Sequence, residues 1–129
     1  MIAAIALFFA TLTLPEPWPA ACASRAAHAA RVGGDVQGPV VIRKGNVDQT
    51  LARHPKTGCP GLLIFELLIT PSGDVACARI VKIGRSVAFT PEIVKELDDA
   101  ARRFRFKPAM RGGKPVEALY TVTFNFKCN

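Results

Sequence analysis

The feature that most constrains this chain is the alternation near its end. Val116, Ala118, Tyr120, Val122, Phe124 and Phe126 take every second place, Glu117, Thr121, Thr123, Asn125 and Lys127 stand between them, and only Leu119 breaks the rule. A period of two held over that length predicts a strand with one face on a core and the other toward water. Such a strand needs a neighbour for its backbone and a roof for its apolar face. Both are found upstream. Residues 62–70 form an apolar run whose one charge is Glu66, Pro71-Ser72-Gly73-Asp74 supplies a turn, and residues 75–83 resume an extended pattern. The pair predicts a β-hairpin. With Glu66 turned outward, Leu63, Phe65, Leu67 and Ile69 point to the core, yet Leu62, Ile64 and Leu68 are apolar too. A strand apolar on both faces is central in its sheet, or has its second face covered by another segment or by a partner.

The roof is a helix that opens at Thr90-Pro91-Glu92: a hydroxyl cap, a proline whose missing N–H costs nothing, and an acid at the positive end of the dipole. Ile93, Leu97, Ala100, Ala101 and Phe104 draw one apolar stripe along it. Arg102, Arg103 and Arg105 suit its carboxyl end, and Pro108 is expected to stop it. The predicted fold is therefore α+β: a three-stranded antiparallel sheet, in the order strand, strand, helix, strand, with one main helix on one face. Antiparallel pairing of the last strand with the first brings Cys128 beside Cys59, and the parity of both strands leans the two cysteines to the same side. A disulfide between Cys59 and Cys128 is expected, with Cys77 left as a small hydrophobe in the second strand.

Upstream the signals are weaker. Residues 1–23 read as a signal peptide or a short anchor: an apolar stretch, a break at Pro15, Pro17 and Pro19, and Ala21-Cys22-Ala23 as a small-x-small cleavage site before Ser24. Cleavage there would leave three cysteines; Cys22 is also weighed as a lipid attachment site. Residues 24–45 are Ala-rich and then broken by Gly33, Gly34, Gly38 and Pro39, which predicts a flexible arm with a short extended piece at residues 40–42. The domain proper is placed at 46–129, beginning with one or two helical turns over residues 47–53, Asn46 as candidate cap and Pro55 as the stop.

Composition bounds function less than it bounds fold. The net charge is +7, with 17 Lys and Arg against 10 Asp and Glu, which suits nucleic acid, an anionic membrane or plain solubility equally. The densest basic run, residues 102–107, is interrupted by Phe104 and Phe106 in the manner of a helix end on a core, so nucleic acid is not expected as a partner. No catalytic residue is assigned. Ser72 and Ser86 have no placed base, His54 reads as a loop or helix-end residue, and Glu92, Asp98 and Asp99 are accounted for by helix electrostatics and solvation. Gly112-Gly113-Lys114 lacks the spacing of a phosphate loop, and His28, His54 and the cysteines lack the spacing of a metal site, so neither cofactor nor metal is expected.

Three blocks carry a likeness to a known family. Leu68-Ile69-Thr70-Pro71-Ser72-Gly73-Asp74-Val75, then Ala101-Arg102-Arg103-Phe104-Arg105-Phe106-Lys107-Pro108-Ala109, then Gly113-Lys114-Pro115-Val116 leading into Tyr120-Thr121-Val122-Thr123-Phe124-Asn125-Phe126, resemble the C-terminal domain of TonB-family energy transducers. The likeness covers about residues 60–128, with Phe104 where the family commonly has Trp. It implies an exported, periplasmic domain, associated with the inner membrane if more sequence precedes it, whose last strand lies at the sheet edge. There it would pair with a peptide of an outer-membrane receptor or another envelope protein, in energy transduction for transport. On this sequence the edge residues are Glu117, Leu119, Thr121, Thr123, Asn125 and Lys127. Other readings stay open: a stand-alone envelope domain without transducer activity, self-association through the same edge, and a basic surface for anionic partners.

Overall fold

The computed structural model describes residues 13–85 and 87–128. The apolar stretch of the expected signal peptide or anchor, residues 1–12, and Ser86 lie outside the described residues.

The hairpin forms as β4 (Leu62–Ile69) and β5 (Val75–Ile83), and the last strand, β9 (Ala118–Asn125), pairs antiparallel with β4 from Leu62 opposite Asn125 to Ile69 opposite Ala118. The two-sided apolar strand is the central one: β9 lies on one side of β4 and β5 on the other. The turn between β4 and β5 depends on Gly73, which has φ +89°, and a Cβ there would stand 1.9 Å from the Phe106 carbonyl oxygen. The Phe106 N–H in turn donates to the Gly73 carbonyl at 3.0 Å. A residue without a side chain is what lets the hairpin tip close against the segment after the helix.

The helix, α3 (Pro91–Ala101), begins as expected: the Thr90 hydroxyl accepts from the Ile93 N–H at 3.2 Å. It buries Ile93, Leu97, Ala100 and Ala101, and packs beside a shorter helix, α2 (Val47–Ala52). Between these helices and the inner face of the sheet lies the main core, with Leu63, Phe65, Leu67, Ile69, Val47, Phe104 and Phe106 all at 2% exposure or less. Phe104 and Phe124 meet edge to face at 6.0 Å, and Phe106 and Tyr120 at 5.7 Å, a geometry that adds to simple burial. Gly45 lets the chain enter α2 against α3, since a Cβ there would stand 2.0 Å from the Ala100 carbonyl oxygen.

Several expectations need correcting. The helix stops at Ala101, well before Pro108, because Phe104 and Phe106 enter the core from an extended segment. The paired part of that segment is β6 (Arg105–Lys107), which directly follows Phe104 and pairs with β3 (Val40–Arg43). Asn46 does not cap α2 with its side chain; its Oδ1 accepts from Arg103 at 2.8 Å. The closing strand is divided: β8 (Lys114–Val116) folds back on β7 (Ala109–Arg111) through Gly112 and Gly113, both at positive φ, and β9 starts afresh at Ala118. Two-residue β2 (Val36–Gln37) joins β7 from the other side.

The largest departure concerns residues 24–45, which are built into the domain. The sheet has four strands, in the order β1-β9-β4-β5, because β1 (Ala30–Arg31) joins β9 in parallel. Ahead of it α1 (Ala20–His28) lies on the outer face of the sheet, where Cys22 and Ala26 bury Leu68 and Leu119. The apolar second face of β4 and the exception at Leu119 thus have one cause, a helix from the chain's own beginning. Cys77 is not a lone hydrophobe: it is bonded to Cys22, and Cys59 is bonded to Cys128 as expected.

Candidate functional site

The four-stranded sheet has two outer edges, and the segment from Leu14 to Arg31 touches both. At the β5 edge the Glu16 N–H donates to the Ile80 carbonyl at 2.8 Å, while the Ile80 N–H donates to Glu16 Oε1 at 2.8 Å. Arg79 then binds the chain from below: Nη1 donates to the Glu16 carbonyl at 3.0 Å, Nη2 to Glu66 Oε1 at 2.8 Å, and the guanidinium sits 4.9 Å from the Trp18 ring centre. Glu66, the one charge in the first strand, faces outward as expected and is neutralised there. From Trp18 the chain crosses the outer face as α1, is bonded to β5 through Cys22 and Cys77, and reaches the β9 edge.

There it takes the first part of that edge. Ala30 and Arg31 stand opposite Ala118 and Leu119, the Ala30 N–H donates to the Glu117 carbonyl at 2.9 Å, and Arg25 pairs with the Glu117 carboxylate. This ion pair, with its side-chain hydrogen bond, raises the Arg25 pKa further above its usual value. Beyond Leu119 no described strand covers β9, so residues 120–125 form an open edge on which alternate residues direct their N–H and C=O groups outward.

The six residues assigned to the partner edge thus fall into two groups. Thr121, Thr123, Asn125 and Lys127 are exposed at or just beyond the open stretch. Glu117 and Leu119 are not free: Glu117 is held by Arg25, and Leu119, at 6% exposure, lies beneath α1. Sequence reasoning missed Arg31 and Val32, which with Leu119, Tyr120 and Thr121 line a recess of about 380 Å³ where β1 leaves the edge. The signal was faint, since two strand residues among alanines and glycines have no periodicity to read.

A second cleft, of about 490 Å³, lies between α2 and the start of α3 beside His54, Thr57 and Thr90. His54 pairs through Nε2 with the Glu96 carboxylate, a partner no sequence spacing indicated. A histidine held by an acid is half of a nucleophile-activating arrangement. The hydroxyls at hand are already engaged: Thr57 donates to the His54 carbonyl at 2.8 Å and Thr90 caps α3. Among the described residues no group of three or more His, Cys, Asp or Glu could hold a metal ion. Phe104 and Phe106, each at 2% exposure, present no ring face for a base to stack on. Among the described residues no helix is long and apolar enough to cross a membrane.

The family model described as Gram-negative bacterial TonB protein C-terminal matches residues 52–128. No curated protein matches the chain.

Proposed function

Since this chain belongs to the TonB C-terminal family, we propose that residues 120–125 of β9 bind an extended peptide of an envelope protein, in the first place an outer-membrane receptor, by adding it to the sheet. The observation that carries this reading is the open edge itself: a strand held by β4 on one side and, just past Leu119, left unpaired on the other by every described strand. Main-chain hydrogen bonds supply the affinity in this mode of recognition, and the side chains of Thr121, Thr123 and Asn125 adjust it. An open stretch of six residues accommodates a partner segment about 20 Å long. The site binds and does no chemistry, and it works in the periplasm as the receptor-contacting end of a transducer.

Residues 14–31 belong to this working domain. Cleavage after Ala23 would discard Cys22 and part of α1, so we infer that any removal of a leader leaves Cys22 in place, bonded to Cys77 and closed to lipid attachment. One observation favours a second reading, a stand-alone envelope domain: the same segment meets β5 at Ile80, covers the first part of the β9 edge and lies over the outer face, so the domain partners much of its own surface.

The test is a proline on the open edge. Thr123→Pro removes a backbone donor and a sheet-compatible φ at an exposed position, and is expected to weaken binding of a receptor-derived peptide by about tenfold or more, while Thr123→Ser leaves it within about twofold. Equal binding by the wild type and both variants would overturn the reading. Affinity that persists at high salt agrees with strand addition, whereas a steep fall would indicate an electrostatic surface instead.

A further inference from the structure

The four large hydrophobic side chains that stand exposed among the described residues all fall within one short stretch: Val32 at 44%, Val40 at 59%, Val41 at 37% and Ile42 at 65%. Scattered apolar residues on a surface need no explanation, but a cluster that leaves the rest of the surface clean marks a contact site. Three of the four make up most of β3, whose every residue is exposed. Among the described residues β3 has one neighbour, β6, in a sheet of two strands, so no described strand pairs with the backbone groups of its second edge. This ribbon is separate from the β9 edge.

Its charges point one way. In the ladder Arg43 stands opposite Arg105 and Val40 opposite Lys107. Like charges directly across a ladder destabilise it unless something anionic is near. Asp74 meets Arg105 at 3.3 Å, but no ion pair joins Arg43, Lys44 or Lys107 to an acid among the described residues. The free edge is therefore apolar along its length and cationic at its flank.

We propose that β3 is a second docking edge, and that its occupant is an extended, acidic segment of another protein that adds as a strand beside Val40, Val41 and Ile42. An added strand follows the pleat and meets apolar side chains on both sides of the ribbon, while carboxylates on it answer Arg43 and Lys107. A second copy of this chain is a poor occupant, since pairing two β3 edges would gather both sets of cations in one place. A flat anionic membrane is poorer than a strand, because Val40 and Val41 point to opposite sides by the alternation of the strand.

The experiment uses the full chain with its disulfides intact and a blocked peptide alternating Glu and Val, with its Lys-for-Glu counterpart as control. Hydrogen exchange is expected to slow, within residues 40–42, at the alternate amides that face away from β6 with the Glu peptide, whose binding exceeds that of the Lys peptide by about tenfold or more. Arg43→Glu with Lys107→Glu should reverse the preference, and Ile42→Asp should abolish protection while exchange in β4 stays unchanged. Should the charge reversals unfold the domain, Lys107→Gln, exposed and outside the core, is expected to lower the preference alone. Protection that appears on residues 120–125 instead of β3 would overturn the proposal and leave the β9 reading standing. Recruitment to phosphatidylglycerol vesicles without peptide binding, or a dimer in sedimentation that Ile42→Asp dissolves, would overturn it in favour of a lipid surface or a second copy.

Discussion

At the residue scale, single positions hold the domain's parts in register. Gly73 is the clearest: its φ of +89° and the 1.9 Å that a Cβ would leave to the Phe106 carbonyl oxygen mean that even alanine must displace the hairpin tip from β6. Gly73→Ala is expected to cost about 2–4 kcal/mol, read as a lower denaturant midpoint with unchanged m-value. Asp98 on α3 has its pKa raised above the ordinary 3.8, first by burial and then by Asp99, against the opposing pull of Arg102 at 4.0 Å. A carboxyl whose pKa is higher folded than unfolded binds protons more readily in the folded state, so ionising it lowers stability as pH rises through that range. Asp98→Asn is accordingly expected to raise the melting temperature at pH 7, with the advantage fading as the pH falls toward the unfolded value near 3.8. A variant less stable at pH 7 than the wild type would show that the Arg102 contact outweighs desolvation.

At the scale of elements, the segment from Leu14 to Arg31 decides how much of the β9 edge is left open. It is fixed to β5 by the bond between Cys22 and Cys77, whose 55-residue separation corresponds to a contribution of about 4 kcal/mol in chain-entropy terms. Cys22→Ser with Cys77→Ser should lower stability by that order and speed hydrogen exchange at Ala30, while β4 keeps its protection. Unchanged exchange at Ala30 would mean that the Arg25 pair with Glu117 and the packing on Leu68 suffice alone. The hairpin, the start of α3 and the pairing of Cys59 with Cys128 were legible because each has a strong local signal: alternation, a capping residue with proline, and strand parity. α1 was not, because the small residues of Ala21-Cys22-Ala23 fit both a cleavage site and a helix that packs closely on a sheet. The end of α3 was misread for a related reason. Phe104 continues the helical stripe and also begins the alternation of β6, and what favours the strand is pairing with β3, distant in sequence.

At the scale of the molecule, residues 120–125 of β9 and the outer side of β3 are stretches in different sheets of a small basic domain that no described strand covers. An open edge is a hazard unless it is short, charged or used. The chain shortens one edge with its own β1 and places cations beside the other, which accords with two surfaces kept for partners. The first of these carries the account, and hydrogen exchange on the oxidised full chain, with and without an outer-membrane receptor peptide, tests it most directly. Slowed exchange confined to alternate amides of residues 120–125, with Ala118 and Leu119 unchanged under β1, is the expected result. Tight peptide binding that leaves those amides exchanging at their free rate would contradict it.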